Sequence, residues 1–94
     1  LIKYNFSGGT VTVNATQQNS QLHLTVEDTG NGIPEELKER IFEPFFRLDK
    51  SRSRELGGVG LGLALVREIV RVHNGSILVK NNANSGTTFE VIFP

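Results

Sequence analysis

The chain has 94 residues, ten Lys and Arg against ten Asp and Glu, and neither cysteine nor methionine. That length fits one domain with a modest core, and the balanced charge supplies no global field to recruit nucleic acid or a membrane surface. Disulfides and thiolate metal sites are excluded, no apolar run approaches bilayer length, and no secretory signal is present.

Residues 1–5 read as the end of a helix whose body lies before Leu1. With no initiating Met, this predicts a piece excised from a longer protein. Gly8-Gly9 breaks the helix. Residues 10–16 alternate, with Val11, Val13 and Ala15 on one face, and predict a strand. A polar turn at residues 17–21 leads to a second strand, where Leu22, Leu24 and Val26 oppose His23, Thr25 and Glu27; the two strands are expected to pair antiparallel. Residues 28–33 form a glycine-bearing loop. Pro34-Glu35-Glu36 predicts a first helical turn, since proline suits the first helical position and acids suit the positive end; this helix should pass through Ile41 and stop near Pro44. Residues 47–58 lack periodicity and read as a loop. Leu61, Leu65, Ile69 and Val72 mark one stripe of a helix over about residues 60–73, closed by Asn74-Gly75. Residues 76–81 and 87–93 predict two more strands around a turn at residues 82–86. The fold class expected is α/β in the α+β sense: a two-layer sandwich of a mixed, mostly antiparallel sheet against helices, with residues 1–94 forming one domain.

Three stretches carry chemistry. In Asp28-Thr29-Gly30-Asn31-Gly32 the carboxylate leaves a strand at the rim of a cleft, where it is a pure hydrogen-bond acceptor. Gly30 and Gly32 permit close backbone approach, and Ile33 offers an apolar wall. Alone, the stretch also reads as an ordinary turn; a calcium loop fails for want of later ligands and a closing Glu. Phe42-Glu43-Pro44-Phe45, extended by Phe46, can anchor one end of a moving loop, or its Phe42 and Phe45 can simply pack the core. Arg47, Lys50, Arg52 and Arg54 follow, a basic loop able to close over phosphates or to sit solvated at the surface; Arg47 and Lys50 are the first candidates for contact. Gly58-Val59-Gly60-Leu61-Gly62 stands directly before the amphipathic helix and aims free N–H groups at an anion. It is neither a dinucleotide fingerprint, lacking the preceding strand, nor a P-loop, lacking Gly-Lys-Ser/Thr.

In this order the stretches resemble the ATP-binding catalytic domain of sensor histidine kinases, of the Bergerat-fold superfamily, over nearly the whole chain. The resemblance implies that Asp28 accepts a hydrogen bond from the adenine amino group, beside Gly30, Gly32 and Ile33. It implies that the phenylalanine stretch is the hinge of a lid, and that Gly58, Gly60, Leu61 and Gly62 form a phosphate box. Ile2-Lys3-Tyr4-Asn5 resembles the tail of the family's asparagine box, with Lys3 on a phosphate and Tyr4 near the adenine or sugar. The metal-binding asparagine of that box, the first strand and most of the first helix would then precede Leu1, leaving no metal ligand within the chain. The end, Gly86-Thr87-Thr88-Phe89, resembles the family's closing strand, with Thr87 at the adenine region.

Implied for the parent protein is transfer of the γ-phosphoryl group of ATP, with Mg2+, to a histidine in a separate dimerisation domain. A response-regulator aspartate receives it next, and this piece alone is not expected to complete the transfer. Lys3, Arg47 and Lys50 are the catalytic candidates. His23 and His73 do not read as phosphoacceptors. The resemblance implies a cytoplasmic domain, many of whose parents are membrane sensors. Two alternatives stand beside it: another Bergerat-fold ATPase or serine kinase, and a degenerate domain serving as an interaction module.

Overall fold

The computed structural model describes residues 2–6, 8–47, 61–83 and 85–94, with backbone alone at residues 2, 4, 5 and 6. Five strands form one sheet in the order β1-β2-β3-β5-β4: β1 Ile2–Phe6, β2 Gly9–Gln18, β3 Gln21–Asp28, β4 Ser76–Asn81 and β5 Thr87–Phe93. All of its pairings are antiparallel. Among the described residues, one α-helix, α1 (Gly62–Val72), and two short 3-10 turns, Glu35–Leu37 and Arg40–Phe42, form the second layer. The sandwich of a largely antiparallel sheet against helices is therefore the observed fold.

The β2–β3 hairpin closes on Asn19 and Ser20, both with positive φ (50° and 67°). A two-residue loop of that hand matches the natural twist of the strands. Register follows the apolar alternation: Val13 faces Val26, Val26 faces Phe89, and Phe89 faces Val79. These residues share the helix-bearing face of the sheet, since direct cross-strand neighbours lie on one side. On the outer face Lys80 pairs with Glu90 at 2.9 Å.

Two expectations change. Residues 2–6 are not a helical tail but strand β1, in which Ile2, Tyr4 and Phe6 alternate with Lys3 and Asn5 and pair with residues 9–13 of β2. A period of two fits an edge strand once β2 offers its unpaired side. The helix expected from Pro34 is instead the two 3-10 turns. Pro34 holds an extended ψ of 139° before the first, and Glu43 is extended (ψ 139°) after the second. Proline disfavours helical geometry in the residue before it, so Pro44 ends the segment, and the short span between the prolines is too little to nucleate an α-helix.

The core is a cluster of Ile33, Ile41 and Phe42, onto which Leu37, Phe46, Leu63, Ile77, Val79 and Phe89 pack. Phe42 meets Phe89 edge-on at 6.4 Å. Helix α1 joins through Leu63 and Val70, the latter only 4% exposed. The stripe Leu61, Leu65, Ile69 and Val72 lies on the exposed side instead, with Ile69 45% exposed. Arg67, Glu68 and Arg71 form the polar face, and the apolar arc opposite covers about half the circumference. The sheet takes only the Leu63–Val70 edge of that arc, so periodicity marks the arc and tertiary fit decides which edge is buried. Its C-terminus closes as expected: Asn74 takes φ 60°, Gly75 N–H donates to Val70 C=O (2.9 Å) and Asn74 N–H to Arg71 C=O (3.0 Å), the hydrogen-bond pattern of a Schellman cap. His73 adds a ring N–H donated to Ile69 C=O at 2.7 Å, a local role for that histidine. Along α1, Arg71 donates to Glu68 and holds its carboxyl below the usual carboxylate range, on a fully exposed face.

Candidate nucleotide site

Asp28 ends β3, the middle strand of the sheet. Its carboxylate is fixed through one oxygen: Oδ1 accepts the N–H of Gly30 (2.9 Å) and that of Thr87 (3.2 Å). Among the described residues nothing bonds to Oδ2. The side chain is thus oriented by the backbone on both sides and presents one acceptor oxygen outward. Thr29 Oγ1 accepts the N–H of Thr10 (3.0 Å), pinning the loop to the start of β2.

The rest of the loop is shaped by the β4–β5 turn. Asn81 Oδ1 accepts Ile33 N–H (2.8 Å) while its Nδ2 donates to Ile33 C=O (2.9 Å). Asn82 Nδ2 donates to Asp28 C=O (3.2 Å), and Thr88 Oγ1 in turn donates to Asn82 Oδ1. Ser85 Oγ donates to Gly30 C=O (2.5 Å). Gly86, at φ +96°, lies so close that any Cβ would overlap the Asp28 carbonyl, and Gly32 sits at φ +80°. Sequence reading singled out neither Asn81, Asn82 nor Ser85: each acts on residues 48 to 55 positions away, and no local pattern announces such a contact.

The expected residues fall into three groups. Asp28, Gly30, Gly32, Ile33 and Thr87 are brought together. Thr87 reaches Asp28 by its backbone N–H, with its residue 3% exposed. Ile33 is 7% exposed and turned into the core cluster, so as it stands it is core before it is cleft wall. Leu61 and Gly62 stand at the start of α1, whose N-cap has no side-chain bond. The next residue, Leu63, packs on the Ile33 cluster, so the uncapped helix end and the glycine loop share one patch of core.

Lys3 forms the second group and is a correction. It opposes Thr12, and Thr12 opposes Glu27, whereas Asp28 opposes Val11. Alternation along a strand therefore sets Lys3 on the face of the sheet away from Asp28, and it is solvent-exposed. Tyr4 shares the register row of Val11 and Asp28, but its side chain lies outside the described residues. So do Lys50, Gly58 and Gly60, with Arg52 and Arg54.

At the phenylalanine stretch, Phe42 and Phe46 pack, and Phe45 does not: it is 71% exposed with φ 69°. Positive φ in a bulky residue is strained, and it turns the ring outward. Arg40 lies 4.8 Å from the Phe46 ring centroid and Arg67 5.2 Å from that of Phe42. A shallow cleft of about 440 Å³ lies among Arg40, Glu43, Pro44, Phe45, Phe46 and Arg47, which places Arg47 beside the phenylalanine stretch. No group of three His, Asp or Glu side chains among the described residues is placed to hold a metal ion.

The fold is thus a two-layer sandwich with an acceptor carboxylate at the end of its central strand, oriented by the loop that follows it and by the start of β5. Comparison gives this fold its family. The chain belongs to the histidine kinase-, DNA gyrase B- and HSP90-like ATPases, matched over residues 1–94, and is of the histidine-kinase catalytic type. It is 45% identical over 92 residues to the signal transduction histidine-protein kinase ArlS of Staphylococcus aureus (strain USA300), covering 98% of this chain and 20% of that protein. The solved mycobacterial sensor histidine kinase MprB superposes with a TM-score of 0.77 at 34% identity, over 93% of this chain and 57% of that one. Histidine kinase ThkA, solved in complex with response regulator protein TrrA, gives 0.69 at 31% identity, over 92% and 22%. The chain thus spans about a fifth of the ArlS protein.

Proposed function

We propose that residues 1–94 form one domain that binds ATP and presents its γ-phosphoryl group to a histidine on a separate dimerisation domain of the parent kinase. The observation that carries this reading is the Asp28 carboxylate, tied through Oδ1 and open at Oδ2. Adenine offers an exocyclic N–H donor, and a fixed carboxylate oxygen is its complement. With the base at Asp28, the phosphates extend toward the start of α1, where unsatisfied N–H groups and the helix dipole favour negative charge. Arg47 lines the cleft at the phenylalanine stretch together with Arg40 and, at the start of the basic loop, is the first candidate to follow the lid inward.

In the transfer, the acceptor imidazole nitrogen bonds to the γ-phosphorus as the bond to the β-phosphate oxygen breaks, and ADP leaves. The domain's part is positioning and charge neutralisation. Mg2+ commonly accompanies such phosphates, but the described donor set does not fit a resident metal, so only nucleotide binding is assigned to these residues. The ThkA–TrrA complex supports a response regulator as the next acceptor. A cytoplasmic location follows from the same reading; no helix among the described residues is long and apolar enough to cross a membrane.

Calorimetric titration with ATP and ADP, on the chain and on Asp28→Asn, tests the proposal. The substitution replaces the charged acceptor and should weaken binding roughly tenfold to a hundredfold, as loss of a charge-assisted hydrogen bond does. Equal affinity in the two proteins, or no binding by the folded chain, would sink it.

A further inference from the structure

We propose that Asn81 is a positioning residue for the nucleotide site, holding the Ile33 peptide so that the loop over residues 28–33 keeps its receptive shape before any ligand arrives. This rests on reading that loop as the nucleotide site.

The geometry is specific to a carboxamide. Asn81 accepts from Ile33 N–H at 2.8 Å and donates to Ile33 C=O at 2.9 Å. That is the two-bond exchange made by a hydrogen-bonded pair of antiparallel residues, with a side chain standing in for one backbone. Only an amide side chain carries donor and acceptor side by side in this way; a carboxylate has no donor. Asn81 is solvent-exposed and absent from the hydrophobic cluster, so packing does not account for it.

Its neighbours point the same way. Asn81 opposes Thr87 in the β4–β5 pair, and Thr87 N–H is one of the two donors that orient Asp28. A Cβ on Gly32 would stand 2.9 Å from Asn81 Oδ1, so the bare glycine makes room for the amide as well as permitting its own positive φ. With Asn82 on the Asp28 carbonyl and Ser85 on that of Gly30, three carbonyls of the loop are held from the turn, and Asn81 is the member that binds both ends of one residue. A loop ordered beforehand avoids the ordering cost at the moment of binding. Asn81 therefore acts on affinity without touching the ligand.

The test uses Asn81→Ala and Asn81→Asp beside the unmodified chain and Asp28→Asn, with ATP titrations at about pH 7.5 and about pH 4, spanning the ordinary titration range of an aspartate. Asn81→Ala should weaken ATP binding about tenfold and speed hydrogen exchange at the Ile33 amide, with little change in Tm. Asn81→Asp keeps the acceptor but sets a carboxylate against the Ile33 carbonyl, so it should bind poorly at the higher pH. Protonation restores an O–H donor, so its Kd, divided by that of the unmodified chain at the same pH, should fall toward one on acidification. Comparison at matched pH removes any titration of Asp28 itself. A merely structural asparagine gives no such recovery.

Unchanged affinity in Asn81→Ala, or a pH-independent ratio in Asn81→Asp, overturns the proposal while leaving the nucleotide site standing if Asp28→Asn still loses ATP. If the unmodified chain binds no ATP, or Asp28→Asn binds as well as it does, the underlying reading falls and this one with it. Should Asn81→Ala unfold, the pH response of Asn81→Asp decides.

Discussion

Gly86 shows how single residues set this site. Its φ of +96° and its contact with the Asp28 carbonyl leave no volume for a methyl group. Gly86→Ala should cost about 2 kcal/mol or more in stability, from strain and displaced backbone together, and should weaken ATP binding by more than Asn81→Ala does, since Thr87 moves with it. Thermal unfolding and titration of the same sample measure both; a variant as stable and as tight-binding as the parent would remove Gly86 from the site. Asp28 was legible because a carboxylate before two spaced glycines at the end of an alternating run is a local pattern. The bracing residues were not, because Asn82 and Ser85 look like the polar turn they also are, and Asn81 like the end of an ordinary strand. Lys3 was expected at a phosphate from the resemblance of residues 2–5 to the tail of an asparagine box; those residues instead form strand β1, whose alternation sets Lys3 on the face of the sheet away from Asp28.

Among elements, helix α1 separates pattern from packing most clearly. Its start, end and cap were legible from the glycine stretch, the apolar spacing and Asn74-Gly75. Its orientation was not, since Leu63 and Val70 face the core while Leu65, Ile69 and Val72 face out. Val70→Ala should destabilise the chain by about 2 kcal/mol and lower its Tm by roughly 10 °C, at the sensitivity of a domain this size. Ile69→Ser should stay within about 0.5 kcal/mol, the two residues having similar helix propensity and the site being open. Denaturant unfolding compares them; a large loss at Ile69 would mean that its face is covered in solution. β2 to β5 were read close to their true bounds because each alternates on a half-buried sheet. The segment between Pro34 and Pro44 was misjudged because helical composition counts for little where prolines limit the length.

For the whole molecule, the decisive feature is the distance in sequence between partners. Leu22 pairs with Phe93, and Asp28 receives Thr87, so the site and the middle of the sheet are made from opposite ends of the chain. Such pairings form slowly, because a long loop must close before the contact repays it. In stopped-flow refolding, binding of a fluorescent ATP analogue should therefore appear with the slowest phase of sheet formation, behind the β2–β3 hairpin; binding in the first milliseconds would contradict this. The same wiring bears on synthesis. A polypeptide emerging from the ribosome carries Asp28 into solution long before Thr87 exists to orient it, so the carboxylate stays an ordinary surface acid until the last strand is released and docked. A domain half-made at the ribosome has no oriented acceptor to offer.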